Sequence, residues 1–390
     1  MITVHFCIES FDPRLGGMEE SALRLVQLLS GEPDIRFILY AVDASKHDPD
    51  VTIPGTVTVV NVSSLIRELI EPLAARFAAE ARMESQRLAV LLTRQVVAEE
   101  MAKRPGDRHI VLSYFMTTAG FVAQHVASEL HLPHVACSRG SDLGKHLFCR
   151  DAIAPLEFVA QRAARIVTTN CEHARFVRDL LCYRGKVDVI YNALPEAVVP
   201  EWRRSAGRPV KLVSLGGYSV KKGTTTLLRA LGWLRYEGLP VELTIAGPTG
   251  AGRWESVRKK YAAIFGPRVI FRDWIDRSDV EQFLLSADIY CSASLSEGCS
   301  NATMLALALG MPIASSATGA LVDLGSSLDH VFLSTPGRVE EFTDSLRTAV
   351  DCILNNRLTV DKEKVNEIVR CLSRERERSA WLKVIREVPY

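Results

Sequence analysis

The sequence predicts an α/β protein built from two Rossmann-like domains, and three observations carry that expectation. Strand-like and helix-like patterns alternate from the first residues to the last. The alternation stops once, near residue 205, and then restarts. The composition, 47% hydrophobic and 24% charged, is that of an ordinary globular chain with enough apolar surface to offset the entropy of ordering. Alternation of this kind implies parallel sheets covered by helices on both faces. Two such sheets in 390 residues, at about 150 residues per domain, give two domains with a cleft between them. Ligands of open α/β sheets sit outside the carboxyl ends of the strands.

In the first half, Ile2–Ile8 alternates as a strand and Gly16-Gly17 breaks the chain after it. Met18 to Leu29 has apolar residues at helical spacing. Arg36 to Val42 and Val57 to Val62 read as strands, followed by a long helical region from Ser64 to Lys103 with Pro72 near a bend. Its interleaved Glu and Arg residues read as a solvated face. Strands follow at His109 to Ser113, His134 to Ser138, Ile166 to Thr169 and Val187 to Ile190, with helices at Thr117 to Leu130, Ala152 to Arg165 and Cys171 to Leu181 between them. Pro200 to Pro209 has two prolines, Gly207, several basic residues and no apolar period, and reads as a linker. The second half gives strands at Val210 to Ser214, Val241 to Ala246, Val269 to Arg272, Ile289 to Ser292 and Pro312 to Ser315. Helices are expected at Thr224 to Glu237, Arg253 to Phe265, Asp279 to Ser286, Asn301 to Leu309, Phe342 to Leu354 and across Val365 to Glu387.

Several function classes are disfavoured. Lys+Arg minus Asp+Glu is 47 − 46 = +1, which supplies no field for nucleic acid. The nine cysteines are scattered, odd in number and without CxxC, so they read as reduced, mostly buried thiols of a cytoplasmic protein. The N-terminal segment reads as a strand and not as a targeting signal. The longest apolar stretch, Met304 to Ala314, is interrupted by Gly310 and Pro312 and is shorter than the roughly 18 residues of a spanning helix. Peripheral membrane contact is left open. The histidines lack metal-ligand spacing, so no metal site is read. Trp274 reads as a core residue.

Four segments could carry chemistry. Leu215-Gly216-Gly217-Tyr218-Ser219-Val220-Lys221-Lys222-Gly223 lies between a strand and a helix. Glycines there let backbone approach a ligand, and a lysine beside free helix N–H groups suits a diphosphate. Ser294 to Met304 runs from a strand through a polar loop into an apolar helix. Glu297 can accept sugar hydroxyls, and the N–H groups of Cys299, Ser300 and Asn301 favour an anion. Gly16, Gly17 and Glu19 form the first strand-to-helix turn. Arg139-Gly140-Ser141-Asp142 follows a strand and reads either as a substrate-facing loop or as a salt-bridged turn.

Taken in order, these segments resemble the retaining glycosyltransferases of the GT-B fold, in the large family-4 group. The likeness runs through Gly16-Gly17-x-Glu19, Arg139 to Asp142, Val189-Ile190-Tyr191-Asn192-Ala193, Lys222-Gly223, Ile245-Ala246-Gly247, Val269 to Trp274, Ser296-Glu297-Gly298 and Leu309 to Ile313. The resemblance implies two Rossmann-like domains facing across a cleft. Residues 1–203 would bind the acceptor, 204–373 the nucleotide-sugar donor, and a helix at about 374–390 would cross back to the first domain. It implies that Lys222 binds the donor diphosphate and Glu297 the donor sugar, the two assigned catalytic roles. Gly216, Gly217 and Gly298 to Asn301 would face sugar and phosphates, and Asp273, Trp274 and Ile275 would line the base. Gly16, Gly17, Glu19, Arg139 and Asp142 would lie on the acceptor side. Four positions depart from the family pattern: its frequent histidine is missing near Ser113-Tyr114-Phe115, Cys171 stands where serine is usual, and two departures fall at the donor segments. Gly217 stands where its phosphate-binding arginine falls, and Leu305 where its second glutamate falls.

The implied reaction moves a glycosyl group from a nucleoside diphosphate sugar to an acceptor hydroxyl with retained configuration. It needs no permanently bound cofactor and no metal, and its partners are a small-molecule donor and acceptor. Rivals on the same fold are a pseudo-glycosyltransferase, a sugar-nucleotide epimerase, and a non-catalytic partner subunit that has lost donor binding.

Overall fold

The structure is a computed structural model that describes residues 1–9, 17–43, 57–74, 78–194, 202–203, 209–247 and 253–389. Gly16 and most of the linker expected around residue 205 lie outside these residues. Contacts divide the chain into two compact units, Met1–Asn192 with Arg374–Tyr390, and Ala193–Ser373.

The first unit holds seven strands: β1 (Ile2–Ile8), β2 (Ile35–Ala41), β3 (Val57–Asn61), β4 (Arg108–Tyr114), β5 (His134–Cys137), β6 (Arg165–Thr168) and β7 (Lys186–Val189). All pair in parallel, in the order β3-β2-β1-β4-β5-β6-β7. The second unit holds β8 (Val210–Leu215), β9 (Val241–Ala246), β10 (Val269–Arg272), β11 (Ile289–Ser292), β12 (Ile313–Ser316) and β13 (Val331–Ser334). These are also parallel, in the order β10-β9-β8-β11-β12-β13. Strands buried on both faces need apolar or neutral residues at every position, and β1 is buried from Thr3 to Ile8. In each sheet the order reverses once, at β1/β4 and at β8/β11. At such a point the connections leave in opposite directions and a crevice opens at the strand ends.

The long helical region splits into Val62–Ala74, which includes Pro72, and Ala78–Lys103. The C-terminal region splits into Lys362–Cys371 and Arg374–Glu387. The last helix packs on the first unit. Trp381, Leu382, Val384 and Ile385 share one core with Val4, Phe6 and Leu25. Ion pairs frame that contact: Arg24 to Glu377 at 3.3 Å, Arg386 to Asp34 at 2.8 Å, and Arg378 to Glu32. Inside it, the fully buried Arg165 guanidinium holds Asp188 at 2.6 Å.

Two sequence expectations need correction. Only Cys7, Cys137, Cys291 and Cys299 of the nine thiols are buried, while Cys171, Cys182 and Cys371 are exposed. The exposed three sit at helix ends or in a turn, at the surface of the unit and not inside it. Trp274 is not core: it is 62% exposed, because it follows β10, an edge strand, and has no neighbouring strand on its outer side.

The buried histidines form ordered polar chains. His109 Nε2 can only donate to the Arg104 carbonyl at 3.0 Å, so its Nδ1 accepts from His5 Nε2 at 3.0 Å. His5 Nδ1 then accepts from the Tyr40 hydroxyl at 2.9 Å. Burial keeps His5 neutral in this chain. His134 sits likewise between Gln124 and Ser113, at 2.9 Å from each. Burial, aided by His109, holds His5 down at about 3 from its ordinary 6.5, and burial alone holds His134 at about 3. Below about 6.5 the unfolded chain takes up protons that the folded chain refuses until about 3. Stability is therefore full above that window and is lost as pH falls through it, by roughly 2 kcal/mol per histidine at pH 5. The urea midpoint of the first unit should fall between pH 7.5 and pH 5, and an unchanged midpoint would contradict this reading of the two chains.

Candidate functional site

The carboxyl ends of β8 and β11 lie beside the strand-order reversal of the second sheet. Two loops leave there, Gly216–Gly223 after β8 and Ala293–Ser300 after β11. Positive φ at Gly216 (+125°) and Gly217 (+77°) turns the chain sharply out of β8. A Cβ on Gly247, which ends β9, would stand 2.2 Å from the Gly217 nitrogen, so only glycine lets these strand ends approach. The Gly247 N–H donates to the carbonyls of Arg272 and Asp273, which ties the end of β10 to the same place.

The aliphatic tail of Lys222 crosses Gly216, where a Cβ would meet its Cε at 3.0 Å. Along this path the Lys222 ammonium reaches Glu297 at 2.7 Å. The two loops are stitched together by the Leu295 N–H donating to the Lys221 carbonyl at 2.8 Å. Gly223 caps the following helix with φ +63°, and a Cβ there would lie 1.9 Å from the Ala293 carbonyl oxygen. Gly223→Ala combines left-handed strain with a backbone clash. It should cost at least about 2 kcal/mol in urea unfolding of the second unit, and wild-type stability would show that the loops are not held this closely.

The carboxylate of Glu297 is nearly buried, with 12% of its side chain exposed against 29% for Lys222. Burial pushes its proton affinity up, but the charge and hydrogen bond of Lys222, with Lys221 and the Ser294 hydroxyl behind them, outweigh burial and hold the group below the usual carboxylate range. The pair is therefore an ion pair at neutral pH. Beyond Glu297, Ser300 caps the helix Asn301–Ala308 and accepts from the Thr303 hydroxyl at 3.0 Å. The positive end of that helix dipole gives the place a partial positive charge. Gly319, with φ +59°, lets a third loop close in, and the Ala320 N–H donates to the Gly298 carbonyl at 2.9 Å. The result is a recess lined by Glu297 and the hydroxyl residues Ser292, Ser300, Thr303, Ser315 and Thr318, with Met304, Ala320 and Leu321 as its apolar wall.

The structure thus brings together Gly216, Gly217, Lys222, Glu297, Gly298 and Ser300. Cys299 is buried in the same loop and Asn301 is exposed at the helix start. Leu305 is half-buried on that helix, outside the recess lining. Asp273 joins through its carbonyl, and its side chain, like that of Trp274, is exposed, while Ile275 is half-buried. The hydroxyls of Ser292 and Ser315 were not singled out in the sequence. Their signal is a polar residue at or near the end of a short apolar strand.

In the first unit, Gly17 and Glu19 fall at the start of the helix Gly17–Leu29, where only their backbone is described. Arg139 follows β5, with its guanidinium 4.5 Å from the centre of the Tyr114 ring and hydrogen-bonded to Asn192. Asp142 is completely buried, and its carboxylate accepts from Met116 N, Ser138 Oγ, Arg139 N and Gly140 N. Its oxygens are occupied by these bonds, so the carboxylate shapes the Arg139 loop from within. Among the described residues, no group of three or more His, Cys, Asp or Glu side chains is placed to hold a metal ion. No described helix is long and apolar enough to cross a membrane.

A recess at a switch point, with an ammonium, a carboxylate, a helix N-terminus and a wall of hydroxyls beside it, is chemistry suited to a phosphorylated sugar. Residues 209–351 match the family described as Glycosyl transferases group 1, which marks this part of the second unit as a glycosyltransferase domain and the chain as an enzyme. Over its full length the chain has the GT-B fold, shared with three solved structures. Sucrose-phosphate synthase from Thermosynechococcus elongatus superposes with TM-score 0.73 at 14% identity, covering 99% of this chain and 98% of that one. The lipopolysaccharide outer core galactosyltransferase WaaB, in its apo form, gives 0.69 at 14%, covering 99% of each chain. Anabaena HepE in complex with UDP gives 0.68 at 16%, covering 99% and 100%. No curated protein matches the sequence.

Proposed function

We propose that the protein moves a glycosyl group from a nucleoside diphosphate sugar to an acceptor hydroxyl with retention of anomeric configuration, as a family-4 type enzyme. The observation that carries this is the Lys222–Glu297 pair at 2.7 Å, set before the first turn of Asn301–Ala308. Lys222 and the helix N–H groups stabilise the charge that develops on the departing diphosphate, and such preorganised donors are commonly the largest catalytic term. Glu297 accepts hydroxyls of the sugar and orients it. The bond from the anomeric carbon to phosphate breaks with its electron pair going to the diphosphate, and the acceptor oxygen bonds the same carbon on the same face. The departing phosphate oxygen is the nearest base for the acceptor proton.

In this reading the second unit holds the donor, with the nucleotide base near Asp273, Trp274 and Ile275. The first unit, with Gly16, Gly17, Glu19 and Arg139, takes the acceptor. Donor chemistry is supported by the UDP and glucose named with the HepE structures. No step is routed through a metal or a resident cofactor. A cytoplasmic location is proposed on the cysteine pattern, which is scattered, odd in number and without CxxC. The test is incubation with a panel of nucleoside diphosphate sugars, reading released diphosphate and the anomeric configuration of the product by NMR. An inverted product would overturn retention, and no turnover with any donor would overturn the activity.

A second reading, a partner subunit without catalysis, is favoured by Leu305 and Gly217, which supply neither carboxylate nor guanidinium. Calorimetry with nucleoside diphosphates separates the two, since that subunit would bind none.

A further inference from the structure

We propose that Glu297 discriminates the glycosylated donor from the bare nucleoside diphosphate, acting as an internal anion that weakens binding of the product. The inference rests on the donor reading above and concerns the same site. In the structure the single charge of Lys222 is already matched by the Glu297 carboxylate at 2.7 Å. The glycine lane over Gly216 fixes the path of the lysine tail, so the ammonium sits where the carboxylate is. The Lys221–Leu295 backbone hydrogen bond keeps the two loops from separating to relieve that pairing.

A diphosphate that approaches Lys222 therefore approaches a nearly buried carboxylate as well. Both the attraction and the repulsion are stronger there than in open water. A donor that carries its sugar brings hydroxyl donors that the Glu297 oxygens can accept, which compensates for sharing Lys222. A bare diphosphate brings none, and it leaves a carboxylate and a polyanion side by side. The recess around Glu297 is lined by neutral hydroxyls and apolar groups, and the charge of Lys221, which also acts on the carboxylate, ranks behind that of Lys222. After transfer the sugar leaves with the acceptor, Glu297 pairs again with Lys222, and the diphosphate is released.

The consequence is a change in opposite directions on one substitution. Glu297→Gln keeps the shape, removes the negative charge and frees Lys222. The probes are uridine, guanosine, adenosine and thymidine diphosphates, titrated calorimetrically into the full-length native protein and the variant, with the matching nucleotide sugar as the second ligand. Whichever diphosphate the native protein binds should bind Glu297→Gln about threefold tighter or better, the scale of one partly exposed charge pair. The nucleotide sugar should gain less or bind more weakly, so the preference for donor over diphosphate narrows. Glu297→Ala also frees Lys222 and should show the same gain, which covers a glutamine variant that folds poorly. A diphosphate bound equally or more weakly by both variants overturns the inference while leaving the donor reading standing. A native protein that binds none of the four diphosphates overturns the donor reading and this inference with it.

Discussion

Lys222→Ala is expected to lower turnover with the correct donor about tenfold to a hundredfold. A charge-assisted hydrogen bond to phosphate contributes roughly 1.5–3 kcal/mol, which converts to that range when it strengthens in the transition state. Lys222→Ala also leaves the nearly buried Glu297 carboxylate without its cation, so some stability is lost with it, and turnover is compared at a temperature where both variants are folded. Lys221 touches the second loop through its backbone carbonyl, a contact that Lys221→Ala retains, so this variant should lose less. Steady-state kinetics of both variants, with thermal unfolding as the control, make the comparison. Equal losses at the two lysines would remove Lys222 from the role given to it.

Trp381→Ala should have the largest effect on stability, about 3–5 kcal/mol, as expected for emptying a fully buried aromatic site. Trp381 is inaccessible to solvent and packs the last helix into the core of the first unit with Val384 and Ile385. Its indole N–H has no hydrogen-bond partner among the described residues. Trp381→Phe therefore removes volume and also an unsatisfied donor, so it should cost much less than the alanine variant. Urea unfolding of both variants reads this directly. An alanine variant less than about 1 kcal/mol below wild type would mean that the last helix contributes little to the unit.

Much of the fold was legible because parallel strands covered on both faces must be apolar nearly throughout. Ile38 to Ala41 and Ile110 to Leu112 show this in the sequence, while Ile2–Ile8 and Val241–Ala246 are legible by their alternation instead. β13 was not read, since Val331–Ser334 has only four residues and a run that short carries no period. Arg165 opens β6 although it is charged, and nothing local announces that Asp188, on the next strand, will neutralise it. At the site, glycines and one lysine at a strand end pointed to the right loop. The 2.7 Å pairing of Lys222 with Glu297 joins residues 75 positions apart and follows only from the sheet order β8-β11. Ser300 and Thr303 fall in a segment legible in the sequence, but Ser292, Ser315 and Thr318 join them only through the pairing of β11 with β12. Asp142 looked like a binding residue because a buried turn-holding carboxylate and a ligand-facing one have the same sequence signature.

The central claim is that the crevice at β8 and β11 binds a nucleoside diphosphate sugar through Lys222 and Glu297. The most direct measurement is a crystal structure of the protein grown with the nucleotide sugar that it turns over. The account predicts the diphosphate within hydrogen-bond distance of Lys222 Nζ and the N–H groups at Ser300 and Asn301, with a sugar hydroxyl on the Glu297 carboxylate. A diphosphate bound elsewhere, with the Lys222–Glu297 pair untouched, would contradict it.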